Sequence, residues 1–459
     1  MPSMKVLVRI HGEDAFVLDA HPNNLFAIKP QDAMGWLTSG RQGSGGTVNC
    51  RQWLRGILPQ SGSVRDVWEA LGRALVGHEL GRDGPPMDVL KSPEALLWAF
   101  AEAEWPGAVT AHRLRDGRPG TAFRDIMSNY PRLDDREMAR LVSACVRMEG
   151  FGWRKAQYPE PRHAWVSLGG TRPKTAVTLD ADGNWRQGGR GGRTGQLNTW
   201  ILKVEDSRDN PGGAGIESIC QRALAHAGVP SAETMSRTFG NWQCVLSRRT
   251  DRSFSGSTVL PIHQEEFRQA AGTEDLFDHD ETDLGPQWRE AYDLLLDEGR
   301  GMDLTRLIAG CWLLGHGDMH RGNWGYNVSS PEEGKEKRVT LAPAYDVSSS
   351  CGSMFSERMC FAIGGEFWFR QIAARQWARH AEECGLGVDE VWAEVGAMCE
   401  AMPDAFSQAV RECRAADENR EQAEVTRRIG LVAEHIGNRV AHFARTLKRS
   451  KPRQEGLAP

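Results

Sequence analysis

Apolar positions recur with two periods along the 459-residue chain, and the change of period outlines its elements. Met4 to Ile10 and Ala15 to Asp19 flank the polar turn His11-Gly-Glu-Asp14, the pattern of a β-hairpin. Asn24 to Ile28 reads as a further strand. A Gly/Ser-rich loop over 39–49 and the short apolar segment Trp53–Pro59 follow. Val64 to Gly77 then carries helical spacing, with Val64, Val67, Trp68, Leu71 and Leu75 on one face and Ser63 placed as N-cap. Met87 to Glu102 reads as a helical pair broken near Pro93, Ala108 to Ala111 as a strand, and Asp134 to Met148 as an amphipathic helix through Met138, Leu141, Val142 and Cys145.

The middle of the chain changes character. Ala164 to Leu179 reads as strand, glycine turn, strand, through Ser167, Gly169, Gly170 and Lys174. Two glycines followed by a lysine let backbone N–H groups and an ammonium approach phosphates. The same residues also suit a plain hairpin turn, and the Walker spacing is not met. Residues 182–196 predict a loop, and Asn198 to Val204 a strand that carries Lys203 near its end. A strand-borne lysine after a glycine-rich hairpin is how kinases hold ATP phosphates; it is also how a lysine snorkels off a strand. Ile216, Ile219, Cys220, Ala223, Leu224 and Ala227 form a helical stripe, with Glu217 in its first turn, where a carboxylate reaches back to Lys203.

Trp242 to Ser247 predicts another strand, and Ile262 to Gly272 a helix that opens a second lobe. Residues 273–285 are acidic and loop-like. Helices are expected over Gln287–Glu298 and Leu304–Leu314, and over roughly 370–384, 389–413 and 420–447, with Lys448-Arg-Ser-Lys-Pro-Arg453 as a frayed basic tail.

The densest chemistry lies in Leu314-Gly-His-Gly-Asp318-Met-His320-Arg-Gly-Asn323-Trp324, followed by Leu341-Ala-Pro-Ala-Tyr-Asp346. An Asp stands five residues before an Asn, and a second Asp lies 23 residues beyond that. Phosphoryl transfer from ATP needs one carboxylate to accept the proton of the attacking hydroxyl. It also needs an amide oxygen and a second carboxylate for magnesium. Val339, Leu341 and Ala342 read as a strand that delivers Asp346 to the same cleft as Asp318 and His320. His/Asp/Asn-rich loops also cap helices and turns, so spacing alone is a weak signal.

Composition narrows the classes. The formal net charge of -5 offers no global basic field for nucleic acid. The longest apolar runs, such as Ala95–Ala101, fall far short of a bilayer span, and the N-terminal stretch is interrupted by His11, Glu13 and Asp14. A cytoplasmic protein is the expectation. Ten cysteines without a Cys-x-x-Cys pair argue against a disulfide framework or a zinc site; Cys145, Cys220 and Cys311 read as small buried hydrophobes. The excess of 16 Trp over 5 Tyr has no functional reading at this level.

Taken in order, several stretches resemble the HipA family of bacterial serine/threonine kinases, the toxins of toxin–antitoxin pairs. They are Leu54-Arg-Gly-Ile-Leu-Pro59, Pro106-Gly-Ala-Val109, Ser167 to Thr175, Trp200 to Lys203, Ile216-Glu217, His263 to Ala270, Gly315 to Asn323, Leu341 to Val347 and Ala362 to Gly365. The resemblance covers roughly residues 4 to 445. It implies an α+β, two-lobed protein-kinase-like fold with an extra N-terminal α+β subdomain and a mostly helical C-terminal lobe. The division would be 1–115, 116–250 and 251–450, with 451–459 as a tail. It also implies ATP and Mg2+ as cofactors. Asp318 would be the catalytic base with His320 beside it, and Asn323 and Asp346 the metal ligands. Lys203 would contact phosphates and pair with Glu217. Ser167, Gly169, Gly170 and Lys174 would cover the nucleotide, and Ser167 would be an autophosphorylation site. A separate HipB-like helix-turn-helix antitoxin would be the partner, with DNA reached only through it.

The chain departs from the family's pattern at His316, where Asn is usual, at Thr171-Arg-Pro-Lys174, which lacks the usual Gln before the lysine, and at Arg248-Arg249-Thr250-Asp251-Arg252, where the hinge usually reads Glu-Arg-aromatic-Asp-Arg. Two other readings stand beside it. The loop His316 to Asn323 also resembles that of aminoglycoside and choline phosphotransferases, which are small-molecule kinases. A non-catalytic scaffold is the third, against which the intact Lys203, Glu217, Asp318, Asn323 and Asp346 argue.

Overall fold

The computed structural model describes residues 4–10, 13–20, 26–30, 109–115, 118–119, 132–150, 172–180, 182–186, 198–205, 210–255, 258–271, 286–296, 299–329, 338–353, 357–416 and 423–450. The elements expected over 39–49, 53–59, 64–77, 87–102 and 273–285 lie outside the described residues, as do Ser167, Gly169 and Gly170. The chain divides into two compact units. The first comprises Met1–Glu205, Arg237–Asp275 and Gly325–Ala342; the second comprises Asp206–Ser236, Leu276–Trp324 and Pro343–Pro459.

In the first unit, β1 (Met4–Ile10), β2 (Glu13–Ala20), β3 (Phe26–Pro30), β4 (Val109–Arg115) and β5 (Arg118–Pro119) form one sheet in the order β3-β2-β1-β4-β5. The expected hairpin is present, with Val6 opposite Leu18. Consecutive residues Val6, Leu7 and Val8 are all buried, so this central strand is covered on both faces.

The second sheet uses β6 (Arg132–Leu133), β7 (Lys174–Leu179), β8 (Trp185–Arg186), β9 (Trp200–Val204), β10 (Thr234–Phe239) and β11 (Trp242–Arg248), in the order β10-β11-β9-β7-β8-β6. Helix α1 (Asp135–Gly150) begins with a reciprocal cap. Asp134 Oδ1 accepts the Glu137 N–H at 2.8 Å, and Glu137 Oε2 accepts the Asp134 N–H at 2.9 Å. Strand β8 falls inside the expected loop 182–196. Asp180 folds the chain back there, since Oδ1 accepts the N–H groups of Asp182 and Asn184 and Oδ2 the Arg186 Nε–H.

The helix expected over Ile262–Gly272 is instead β14 (Gln264–Glu266), reached through the hairpin β12 (Arg252–Ser255) and β13 (Thr258–Pro261), plus one helical turn, Phe267–Ala270. Its partner explains the change. Gln264 to Glu266 pair with β15 (Gly325–Val328), which pairs in turn with β16 (Val339–Leu341). The Glu265 carboxylate is buried against His263 Nε2 at 2.9 Å. Ladder hydrogen bonds and that buried pair outweigh local helical preference.

The second unit is mostly helical: α2 (Gly213–His226), α3 (Pro286–Leu296), α4 (Gly301–Leu314), α5 (Ala374–Cys384), α6 (Val388–Ala415) and α7 (Ala423–Ser450), with the hairpin β17 (Arg358–Ile363) and β18 (Glu366–Trp368). Helix α2 starts at Gly213, behind the left-handed Gly212, so Glu217 lies in its second turn rather than its first and is wholly buried. Helix α7 runs through Lys448 and Arg449, which the sequence placed in a frayed tail.

Four of the tryptophans have a structural role here. Trp288 stacks near Trp324 (centroids 5.8 Å) and donates Nε1–H to Ala362 O at 2.8 Å. Trp312 meets Trp377 edge-on at 5.8 Å and donates to Phe369 O at 3.0 Å. Broad rings that also satisfy buried carbonyls suit a core threaded by non-helical chain. Among the described residues no helix is long and apolar enough to cross a membrane.

Candidate active site

Helix α4 is buried nearly all round, through Leu304, Leu307, Ile308, Cys311, Trp312, Leu313 and Leu314, and it aims the chain into the Asp318 loop. Gly315 ends the helix in the left-handed conformation (φ 73°), with its own N–H and that of His316 returned to Trp312 O and Cys311 O. An added Cβ at Gly315 would lie 2.9 Å from Cys351 Sγ, so glycine is required for space as well as for φ.

The start of the loop that follows is tied to the segment after Asp346 and to β17. Gly315 O accepts the Ser350 N–H at 2.8 Å and its hydroxyl at 2.9 Å. The His316 imidazole lies 2.9 Å, through Nδ1, from Ser348 O, and the Cys360 thiol donates to Gly317 O at 2.9 Å. Inside the loop, Asn323 Nδ2 donates to Asp318 O at 2.7 Å, which leaves its Oδ1 as the donor atom for a cation. His320 Nδ1 accepts the Gly322 N–H at 3.0 Å, so in the neutral ring the proton sits on Nε2, 4.0 Å from Asp318 Oδ1. The Tyr345 hydroxyl reaches Gly322 O at 3.4 Å. Asp318 itself is open to solvent, its side chain 65% exposed, while that of His320 is 12% exposed.

His316 is the link that spacing could not supply. Burial holds its ring below the ordinary histidine range. The Asp318 carboxylate, the Ser348 hydrogen bond and the Asp346 carboxylate pull the other way, so both acids are near enough to act on this one histidine. Its Nε2 is buried without a hydrogen-bond partner. Asp346 adopts φ 58°, and among the described residues it is the one non-glycine residue at positive φ. Strand β16 ends at Leu341, five residues earlier, so Asp346 is delivered by the bend after that strand. Left-handed backbone at a non-glycine costs energy and concentrates at functional positions.

In the first unit, Lys174 of β7 stands directly opposite Lys203 of β9. Cross-strand partners share a face, so two ammonium groups lie on one side of this sheet. Lys203 is buried, and Lys174 is near enough to Glu266 to act on its carboxyl, which burial raises above the usual range. The stretch Arg248–Arg252 carries a buried ion-pair network. Arg249 holds Asp251 through two bonds (Nε at 3.0 Å, Nη2 at 2.8 Å), and Arg252 Nη1 adds a third at 3.0 Å. Glu217 belongs to the second unit and Lys203 to the first.

The HipA-like C-terminal domain family matches residues 166–406, more than half of the chain. The chain belongs to this family. The matched HipA-like span contains every candidate site residue, from Ser167 to Asp346. A curated Sinorhizobium fredii protein, named provisionally as a kinase, is 24% identical over 226 residues, 48% of this chain; the match spans 52% of that relative's length. A chain of the Shewanella oneidensis MR-1 toxin–antitoxin complex of HipA, HipB and operator DNA shares the fold, with a TM-score of 0.71 over 97% of this HipA-like chain and 98% of its own, at 15% identity.

The donor chemistry fits magnesium. Asn323 Oδ1 and the Asp346 carboxylate are hard oxygen donors in the same unit as Asp318, the donor type that magnesium takes.

Proposed function

We propose that this HipA-like chain is an ATP-dependent kinase that transfers a phosphoryl group to a serine or threonine hydroxyl of a protein. The observation that carries the reading is Asp346, held at positive φ and sharing a buried histidine with Asp318. Asp318 accepts the proton of the acceptor hydroxyl. That oxygen bonds to the γ-phosphorus as the bridging oxygen departs with ADP. His320 faces the Asp318 carboxylate and orients it. Asn323 and Asp346 offer oxygens to Mg2+, which when bound neutralises charge along the phosphates. Lys203 and Lys174 bring positive charge to those phosphates. Ser167, Gly169 and Gly170 cover them, and Glu217 orients Lys203.

Several further assignments belong to the same reading. Ser167 is an inhibitory autophosphorylation site, because an added dianion repels nucleotide phosphates. A HipB-like helix-turn-helix antitoxin is the partner of a cytoplasmic toxin, with DNA contacted through that partner. The division into 1–115, 116–250 and 251–450 accompanies it.

The test is incubation with labelled ATP and magnesium, wild type beside Asp318→Asn, followed by mass spectrometry of the chain and of lysate proteins. Phosphate on Ser167 or a neighbour, lost in the variant, is the expected result. Loss of a general base costs roughly 10²–10⁴-fold in rate. A folded Asp318→Asn chain with full activity would sink the assignment. ATP turnover without protein phosphorylation would transfer it to a small-molecule acceptor, as the phosphotransferase-like loop His316–Asn323 allows.

A further inference from the structure

We propose that Cys351, Glu357 and His435 form a binding site for one zinc-class divalent cation, separate from the kinase centre and independent of the kinase reading. One ligand atom from each lies within 4.8 Å of the other two, and among the described residues this is the one group of three or more such side chains. Cys351 Sγ is 3.3 Å from His435 Nδ1. Tetrahedral zinc, with bonds of about 2.0–2.3 Å, places its ligand atoms roughly 3.3–3.6 Å apart. The thiol and imidazole therefore already stand near bonding separation, and the exposed Glu357 carboxylate needs only a small approach. Thiolate, imidazole and carboxylate together suit zinc rather than magnesium or calcium.

Two of the ligands sit on a fixed frame. The Cys351 N–H is held by Ser349 Oγ at 3.2 Å, and its carbonyl by Arg428 Nε at 3.2 Å. Arg428 is fully buried and also binds Ser349 O and Asn210 Oδ1, each at 2.6 Å. His435 lies on the same face of α7 as Arg428, Val432 and Arg439. The charged neighbour is Arg439, whose Nη2 lies 3.8 Å from Cys351 Sγ and 3.4 Å from His435 Nδ1.

A guanidinium opposes a bare cation. Zinc, however, brings two positive charges to a site that supplies two negative ones, thiolate and carboxylate. Arg439 remains anchored by Leu313 O at 2.8 Å and by the Phe369 ring at 4.7 Å. There it donates to the zinc-bound sulfur, the usual outer-shell role. Binding forms an S–Zn bond and releases the thiol proton to solvent, while the Nδ1 lone pair passes from hydrogen bonding to the metal. Water completes the fourth position. The ion would clasp the segment five residues beyond Asp346 to α7.

The experiment uses the full chain, stripped by chelator and titrated with Co2+ and then Zn2+. One equivalent of cobalt should produce a near-ultraviolet thiolate-to-cobalt band that zinc bleaches, and zinc should raise the melting temperature. The band should vanish in Cys351→Ser and persist in Cys399→Ser. Glu357→Gln alters an exposed residue and keeps the fold; it should weaken zinc affinity roughly tenfold or more, since loss of even an outer-shell partner costs that much. No band in folded protein, a band that survives Cys351→Ser, or uptake indifferent to Glu357→Gln would each overturn the proposal.

Discussion

His380 shows what a single residue contributes to this core. Its ring is enclosed by Trp288, Tyr292 and Trp377, with centroids 5.9, 5.6 and 5.7 Å away, and Nε2 lies 3.2 Å from the Tyr292 hydroxyl. Burial lowers its pKa from 6.5 to about 4. Between those values the unfolded chain binds a proton that the folded chain refuses, so stability falls as pH drops through that window and is fully present above it. The loss on reaching the lower value is on the order of 3 kcal/mol. Urea midpoints at neutral and mildly acidic pH, compared between wild type and His380→Leu, measure it. The variant should lose the His380 share of the pH dependence; an unchanged slope would remove histidine burial as the cause. The same physics lowers the pKa of His316, where burial outweighs the opposing pull of the Asp318 and Asp346 carboxylates.

At the scale of elements, the junction of α4 with the Asp318 loop is tightly constrained. Gly315→Ala must hold a left-handed backbone and place a methyl 2.9 Å from Cys351 Sγ and 3.2 Å from the Arg439 guanidinium. The expected cost is about 2 kcal/mol or more, seen as a lowered urea midpoint, because the backbone penalty alone is roughly 1–2 kcal/mol. An unshifted midpoint would mean that the junction yields freely.

Helix α4, the long C-terminal helices, the hairpin of β1 and β2 and the spacing of Asp318, Asn323 and Asp346 were all legible in the sequence, since each rests on periodicity or local chemistry. Strand β14 was not: Gln264-Glu265-Glu266 has no strand pattern, and only pairing with β15 makes it one. The hairpin of β17 and β18, closed by the tight Gly364-Gly365 turn, was also not among the expected elements. Arg428 and Arg439 fall in the helix expected over 420–447 with no role legible in the sequence, yet both are buried and hold carbonyls of the segment after Asp346 and of α4. A helical pattern records which face is charged; it carries no record of which charges a long-range partner will bury. The link through His316 was hidden for the same reason, since Ser348 lies 32 residues away in sequence.

For the whole molecule, the kinase reading makes stability a property of nucleotide and metal together. A ligand that binds only the folded chain adds about 2.7 kcal/mol when present at roughly a hundredfold excess over its dissociation constant. Asp346 allows this to be separated from structural damage. Its φ of 58° is strained for any side chain and easy for glycine. Asp346→Gly should therefore leave the unliganded chain as stable as wild type, or more stable by about 1 kcal/mol, while removing the carboxylate proposed for magnesium. Calorimetric scans with ATP and magnesium should raise the melting temperature of wild type and fail to raise that of the variant, and EDTA should bring wild type down to the variant's response. If the variant gained as much from nucleotide and magnesium as wild type, the backbone strain at Asp346 would serve something other than a metal. If instead the unliganded variant were markedly destabilised, its carboxylate would be a structural bond, and the left-handed φ would lose its standing as the mark of a functional position.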